Sequence, residues 1–163
     1  LSAEAAHEMC IRFEKRLIRK KYDAVVRGHA PEEGCIDRAL NPKNGKAPQD
    51  AITSFTRRNT VELPEPVGKW DSARFSHLVV TPLTGRRHQI RRHLASISHP
   101  VVGDTNYGDG AQNRFVRSSF DLHRLLLMAT ELCFEHPFSN NELSIVSPLA
   151  PEVQKLFDTF GWS

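Results

Sequence analysis

The sequence predicts an α+β fold: a mixed, mostly antiparallel sheet with flanking helices. Three observations carry that expectation. Residues alternate with a period of two over Lys20–Arg27 and Ala73–Thr81, which is the signature of half-buried strands. Two further extended runs, Leu125–Phe134 and Glu142–Val146, are joined through Pro137 and Asn140-Asn141, a turn that suits antiparallel neighbours. Helical stripes and strands also follow one another without βαβ regularity. The chain has 163 residues, 39% apolar and 25% charged, so residues 1–163 are expected to form a single globular domain. No apolar run approaches the roughly 18–20 residues of a membrane span, so no membrane partner is expected.

Ser2 is placed to cap a first helix, with Ala6, Met9, Cys10, Phe13 and Leu17 along one face. In the strand that follows, Tyr22, Ala24 and Val26 point one way and Asp23, Val25 and Arg27 the other. Gly28–Gln49, rich in Gly, Pro, Asn and charge, reads as a long connection. Ala51–Leu63 reads as extended, ending at Pro64-Glu65-Pro66. After Ala73–Thr81, the turn Pro82-Leu83-Thr84-Gly85 is expected to open a helix capped by Thr84. Ile90, Leu94 and Ile97 give that helix its apolar stripe, and His99-Pro100 ends it. Gly103–Gly110 is turn-forming, and Pro151 starts a last helix running through Phe157 and Phe160.

Three scattered cysteines, Cys10, Cys35 and Cys133, argue against a disulfide framework and against a zinc site. They are expected to pack as small apolar thiols in a reducing, cytoplasmic setting. The net charge of +3 announces no partner, but its distribution does. Arg12, Lys15, Arg16, Arg19, Lys20 and Lys21 form one basic cluster, and Arg86, Arg87, His88, Arg91, Arg92 and His93 a second. Clusters of this kind suit phosphates. The second reads as a helix presenting guanidinium groups, with Arg87 and Arg91 at i and i+4 on one face; their repulsion is best relieved by an anion or carboxylate. A solvated basic face is the plain alternative.

The segment Arg87-His88-Gln89-Ile90-Arg91 with its neighbours resembles the Arg-x-His-Gln-Ile/Leu-Arg motif of the RluA-type pseudouridine synthases. Lys21-Tyr22-Asp23-Ala24-Val25-Val26-Arg27-Gly28 resembles the family's tyrosine strand. His99-Pro100-Val101-Val102-Gly103-Asp104-Thr105-Asn106-Tyr107-Gly108 resembles its His-Pro-Ile-x-Gly-Asp-x-x-Tyr-Gly loop, and Leu127–Phe134 with His136-Pro137 its late strand. The motifs stand in the family's order. Gln112-Asn113-Arg114-Phe115 and Phe160-Gly161-Trp162 are similar to the branch that modifies transfer RNA.

The resemblance implies the pseudouridine synthase catalytic fold and a cofactor-free isomerisation without metal. A uridine is flipped from its RNA, most readily a transfer RNA with ribosomal RNA as the other option. The glycosidic C–N bond breaks, and the base is rejoined through carbon. It implies that Tyr22 stacks on the base and helps move a proton, and that Arg91 pairs with a catalytic aspartate. Arg87, His88, Gln89, Arg92, Lys20 and Lys21 are the implied RNA contacts.

Two departures stand out. The family's His-Arg-Leu-Asp motif, which carries its aspartate, does not occur; His123-Arg124-Leu125-Leu126 has Leu where Asp is needed and lies downstream. Met128 replaces the usual His. The sequence therefore reads as the C-terminal portion of a catalytic domain, with exposed strand edges or apolar surface where a strand is lost. A non-catalytic RNA-binding module is the competing reading, and a helix for a DNA groove a weaker one, since no paired helix precedes it. A monomer is favoured because no apolar stripe is left over.

Overall fold

The computed structural model describes residues 2–42 and 45–162. Its centre is a six-stranded sheet in the order β2-β3-β4-β1-β5-β6. The strands are β1 (Arg19–Arg27), β2 (Glu33–Asp37), β3 (Ile52–Leu63), β4 (Ala73–Pro82), β5 (Leu127–Glu135) and β6 (Glu142–Val146). All five neighbouring pairs are antiparallel. The helices are α1 (Ala3–Glu14), α2 (Gln89–Ser96), α3 (Gly110–Phe120) and α4 (Pro151–Phe160).

Alternation along the strands divides the core into two layers. On one face Ala24, Val26, Leu78, Val80 and Phe55 pack beneath Ile90 and Leu94 of α2, with Tyr22 half-buried at the margin. On the other face Val25, Phe75 and Met128 pack against Val116 of α3 and Val153, Leu156, Phe157 and Phe160 of α4. Trp162 closes this second layer, donating its indole N–H to the Thr60 carbonyl at 3.3 Å. Ser2 does cap α1, accepting from the Ala5 N–H at 3.1 Å.

Three expectations need correction, and one helix was not anticipated. The stretch Gly28–Gln49 contains β2, a short edge strand paired with β3 that buries only Ile36. The turn-forming run ends at a helix, α3, which Asp109 caps by accepting from the N–H groups of Ala111 and Gln112. The arginine-rich helix begins at Gln89, not behind Thr84, so Arg87 precedes it and shares no helical face with Arg91. Cys10 and Cys35 are exposed and Cys133 half-buried, so the thiols are not core packing. β6 forms one edge of the sheet with all five of its residues exposed, and Phe13 in α1 and Leu17 just after it are exposed too.

Candidate active site

The arginine segment is built on two polar residues that face inward. Gln89 and His93, one helical turn apart, are buried on the same side of α2 as Ile90 and Leu94. The Gln89 carbonyl oxygen accepts from the Thr84 hydroxyl at 2.6 Å and from the Arg86 N–H at 3.0 Å. Its amide nitrogen donates to the Ile52 carbonyl at 2.9 Å and the Thr53 hydroxyl at 3.0 Å. The turn over residues 84–88 is thereby stapled to the start of β3. His88 sits in the left-handed region at φ 53°, which turns the chain sharply into the helix. His93 bridges the Thr53 hydroxyl (2.8 Å) and the Arg38 carbonyl (2.9 Å), and burial lowers its pKa.

With those inward groups fixed, the guanidinium groups lie outward. Arg86, Arg87 and Arg92 line a cleft with Leu40, Asn41, Gln49 and Tyr107. Arg86 and Arg92 are steadied by the carbonyls of Asp50 and Asn41, at 3.1 and 3.0 Å. Arg87 is exposed and makes no ion pair among the described residues.

Arg91 forms a planar pair with Asp104, Nε to Oδ2 and Nη2 to Oδ1, both at 2.7 Å. The Asp104 side chain is fully buried, and its Oδ1 also accepts the N–H groups of Asn106 (2.9 Å) and Tyr107 (3.0 Å). Burial pushes the Asp104 carboxyl up, but the guanidinium and the two backbone donors outweigh it, so its pKa lies below the ordinary carboxylate range. The same hydrogen bonds raise Arg91 further, so the pair is ionised. The Tyr107 ring lies 5.3 Å from the Arg91 guanidinium carbon, and its hydroxyl is 3.4 Å from His88 Nδ1.

The loop presenting Asp104 requires its glycines. A Cβ at Gly103, where φ is +80°, would meet the Arg124 carbonyl oxygen at 2.0 Å; one at Gly108 would meet the Asp104 carbonyl oxygen at 2.0 Å. Asn113 of α3 clasps the loop from outside, accepting from the Gly103 N–H at 2.7 Å and donating to the Asp104 carbonyl at 2.8 Å.

Tyr22 lies on the sheet face that α2 covers, opposite Val80 of β4 and Ala129 of β5. A bulge in the β1–β5 pairing falls between Lys21 and Tyr22, and such bulges re-aim side chains beside functional sites. Burial raises the Tyr22 pKa, which keeps the phenol protonated. Asp23, the next carboxylate along β1, points to the opposite face and is engaged by His77 (2.5 Å) and the Thr130 hydroxyl (2.6 Å).

A family model described as RNA pseudouridylate synthase matches residues 1–96. Relatives named tRNA pseudouridine synthase C resemble almost the whole chain. The one from Vibrio parahaemolyticus is 41% identical, covering 99% of this chain and 70% of its own length. The one from Yersinia pestis is 38% identical, covering 100% and 67%. The chain belongs to the RNA pseudouridylate synthase family. Its fold is shared with the solved structure titled Human RNA Pseudouridylate Synthase Domain Containing 1, with a TM-score of 0.71 and 22% identity over 100% of this chain and 74% of that one.

For a pseudouridylate synthase the site divides the sequence-derived residues into groups. Arg87 and Arg92 line the cleft with Tyr107, the Arg91 guanidinium lies against that same tyrosine, and Tyr22 sits at the margin of the core layer beneath α2. Lys20 lies beside Gly85 at the entrance to the arginine turn, and burial lowers its pKa. Lys21 is paired with Glu131. His88 faces Tyr107. Gln89 is buried with its amide committed to the scaffold, so it holds the arginine turn. Asp104 and Tyr107 were given no role from sequence, although the Gly-Asp-x-x-Tyr-Gly loop containing them was visible. Among the described residues no cluster of His, Cys, Asp and Glu has the arrangement of a metal site.

Proposed function

We propose that this chain binds transfer RNA and holds one extruded uridine against Tyr22 and Arg91 for conversion to pseudouridine. The observation that carries this reading is the ionised Arg91–Asp104 pair beside an arginine-lined cleft, on the face that presents Tyr22. Arg87, Arg92, Lys20 and Lys21 take phosphates, where each contact releases counterions and makes binding steeply salt-dependent. His88 orients Tyr107 and the turn. Tyr22 offers a stacking surface that offsets the few kcal/mol of unstacking, and its protonated phenol relays a proton at the ring carbon.

Arg91 has a second use. Its contacts with Asp104 employ Nε and Nη2, which leaves the Nη1 edge outside the pair. A guanidinium has five N–H donors in a fixed plane, so Arg91 can bind a further carboxylate while Asp104 fixes its orientation. That further carboxylate is the aspartate of the family's His-Arg-Leu-Asp motif, which does not occur in these 163 residues. The residues here account for binding and positioning, and C–N cleavage belongs to that aspartate. The reaction uses no cofactor or metal. Residues 1–163 form one domain, which works as a monomer in a reducing cytoplasm; three free cysteines, none of them fully buried, suit that compartment. Among the described residues no helix is long and apolar enough to cross a membrane.

The test combines salt-dependent binding of transfer RNA with tritium release from RNA labelled at uracil C5. Binding that weakens with salt, without release by residues 1–163 alone, is the expected result. Affinity that is insensitive to salt and to replacement of Arg87 and Arg92 would remove the RNA reading. Release by these residues alone would overturn the assignment of cleavage to the His-Arg-Leu-Asp motif.

A further inference from the structure

A second cleft lies away from the arginine turn, between the 67–72 loop, the C-terminal end of β1 and the start of α3. It is lined by Arg27, Arg74, Trp70, His99 and Gln112 among others. Three of its features call for a ligand. Trp70 is 48% exposed, although a large aromatic normally seeks burial. Gln112 is only 3% exposed, yet its carbonyl oxygen has no hydrogen-bond partner, against the general rule for buried polar atoms. The rim carries positive side chains: Lys69 stands 5.0 Å from the Trp70 ring centre, and Arg27 and Arg74 line the opening.

Packing does not account for Gln112. Its neighbour Asn113 satisfies both atoms of its amide on the loop that carries Asp104. Arg27 is held by Asp109 at 2.7 Å and the Ser98 carbonyl at 2.9 Å, and Arg74 by Glu62 at 2.9 Å, so the cations are fixed in place around the opening.

We propose that this cleft is a second RNA subsite, which takes one unstacked nucleotide flanking the target uridine. The base stacks on Trp70, its phosphate lies against Lys69 and Arg74, and the Gln112 side chain, whose oxygen is enclosed in the free chain, turns toward the opening to accept from an exocyclic amino or ring N–H. An exposed indole is the usual platform for a single-stranded base, and a side-chain amide complements a base edge. Arg27 lies five residues along β1 from Tyr22, roughly 17 Å at the rise of an antiparallel strand and on the other face of the sheet, so the nucleotides joining the sites pass around the end of β1. The inference rests on the reading of this chain as an RNA binder.

The test is tryptophan fluorescence of the chain titrated with single-stranded oligoadenylate, beside affinity measurements with transfer RNA. Trp162 is only 6% exposed, so quenching by a stacked base reports Trp70. Quenching is expected to vanish in Trp70→Phe and to persist in an Arg87→Ala/Arg92→Ala double variant. Trp70→Ala and Gln112→Leu should each weaken transfer RNA binding about tenfold. Gln112→Leu removes a buried unsatisfied oxygen, so it should fold at least as stably as the parent, and its binding defect is not a folding defect. If both variants bind transfer RNA like the parent while the Arg87/Arg92 variant does not, the second subsite is wrong and the main site stands. If the parent itself binds no RNA, both fall.

Discussion

Arg91 and Asp104 meet edge to edge, two parallel hydrogen bonds of 2.7 Å joining a guanidinium on α2 to a carboxylate on the following loop. The pair fixes the only arginine that the family motif places against an aspartate, and it does so with a residue of the same chain. Removing one partner of a buried, hydrogen-bonded pair leaves the other desolvated and unmatched, at roughly 3–5 kcal/mol. Asp104→Asn is therefore expected to lower unfolding stability by about 3 kcal/mol in urea titrations. The Asp104 pKa is depressed by folding, so its contribution is present above the unfolded carboxylate value and lost as pH falls through the lower folded one. The variant should show a shallower loss of stability in that acid range. An unchanged acid limb would mean that Asp104 contributes nothing through its charge.

The arginines outside the pair behave differently. Arg87 is exposed and, among the described residues, Arg92 is tethered only through a backbone carbonyl, so neither is expected to support the fold. Replacing either by Ala should move stability by less than about 0.5 kcal/mol. Each replacement should reduce the slope of log affinity against log salt for transfer RNA by about one. Filter binding over a salt series measures this directly, and a parallel drop in affinity with an unaltered slope would argue against phosphate contacts.

The division between what was legible and what was not follows from where the information lies. β1, β4 and α4 announce themselves because each buries a large apolar face whose period is local: Ala24/Val26 against Val25, and Val153, Leu156, Phe157 and Phe160 at helical spacing. β2 was missed because only Ile36 of its five residues is buried, and its identity comes from pairing with β3 about twenty residues on. α3 had a visible signal in Asp109, a capping acid, but Gly103, Gly108 and Gly110 around it read as turn. Within the site, a resemblance named Tyr22 and Arg91, while spacing alone placed Arg87 on the helix. The real helix starts after a left-handed His88, a conformation no composition rule marks. The burial of Gln89 was illegible for the same reason: polar residues in a basic run look solvent-facing until β3 supplies the Ile52 carbonyl and Thr53 hydroxyl.

Tyr22 separates stacking from proton transfer. Phe keeps the ring and loses the hydroxyl, so Tyr22→Phe should fold normally and bind transfer RNA within about twofold. Loss of a positioned acid–base group typically costs 10²–10⁴ in rate, and a fall of roughly that size is expected in tritium release from enzyme carrying the aspartate motif. A weakened affinity with unaltered turnover would reverse the assignment and make the hydroxyl a binding group.

His93 supplies a pH dependence near neutrality. It is fully buried between the Thr53 hydroxyl and the Arg38 carbonyl, and burial holds its pKa below the ordinary histidine value. The unfolded chain thus binds a proton that the folded chain refuses. Stability from this group is complete above the unfolded histidine pKa and declines as pH falls from there towards the folded value, by at most about 1.4 kcal/mol per pH unit for one proton. His93→Gln offers one amide to the same two partners without titrating. Urea midpoints of the parent should fall as pH is lowered from 7 towards 5, while those of His93→Gln stay flatter across that interval. Equal slopes for the two proteins would place the titrating group elsewhere and show that the Thr53–His93–Arg38 bridge is indifferent to protonation.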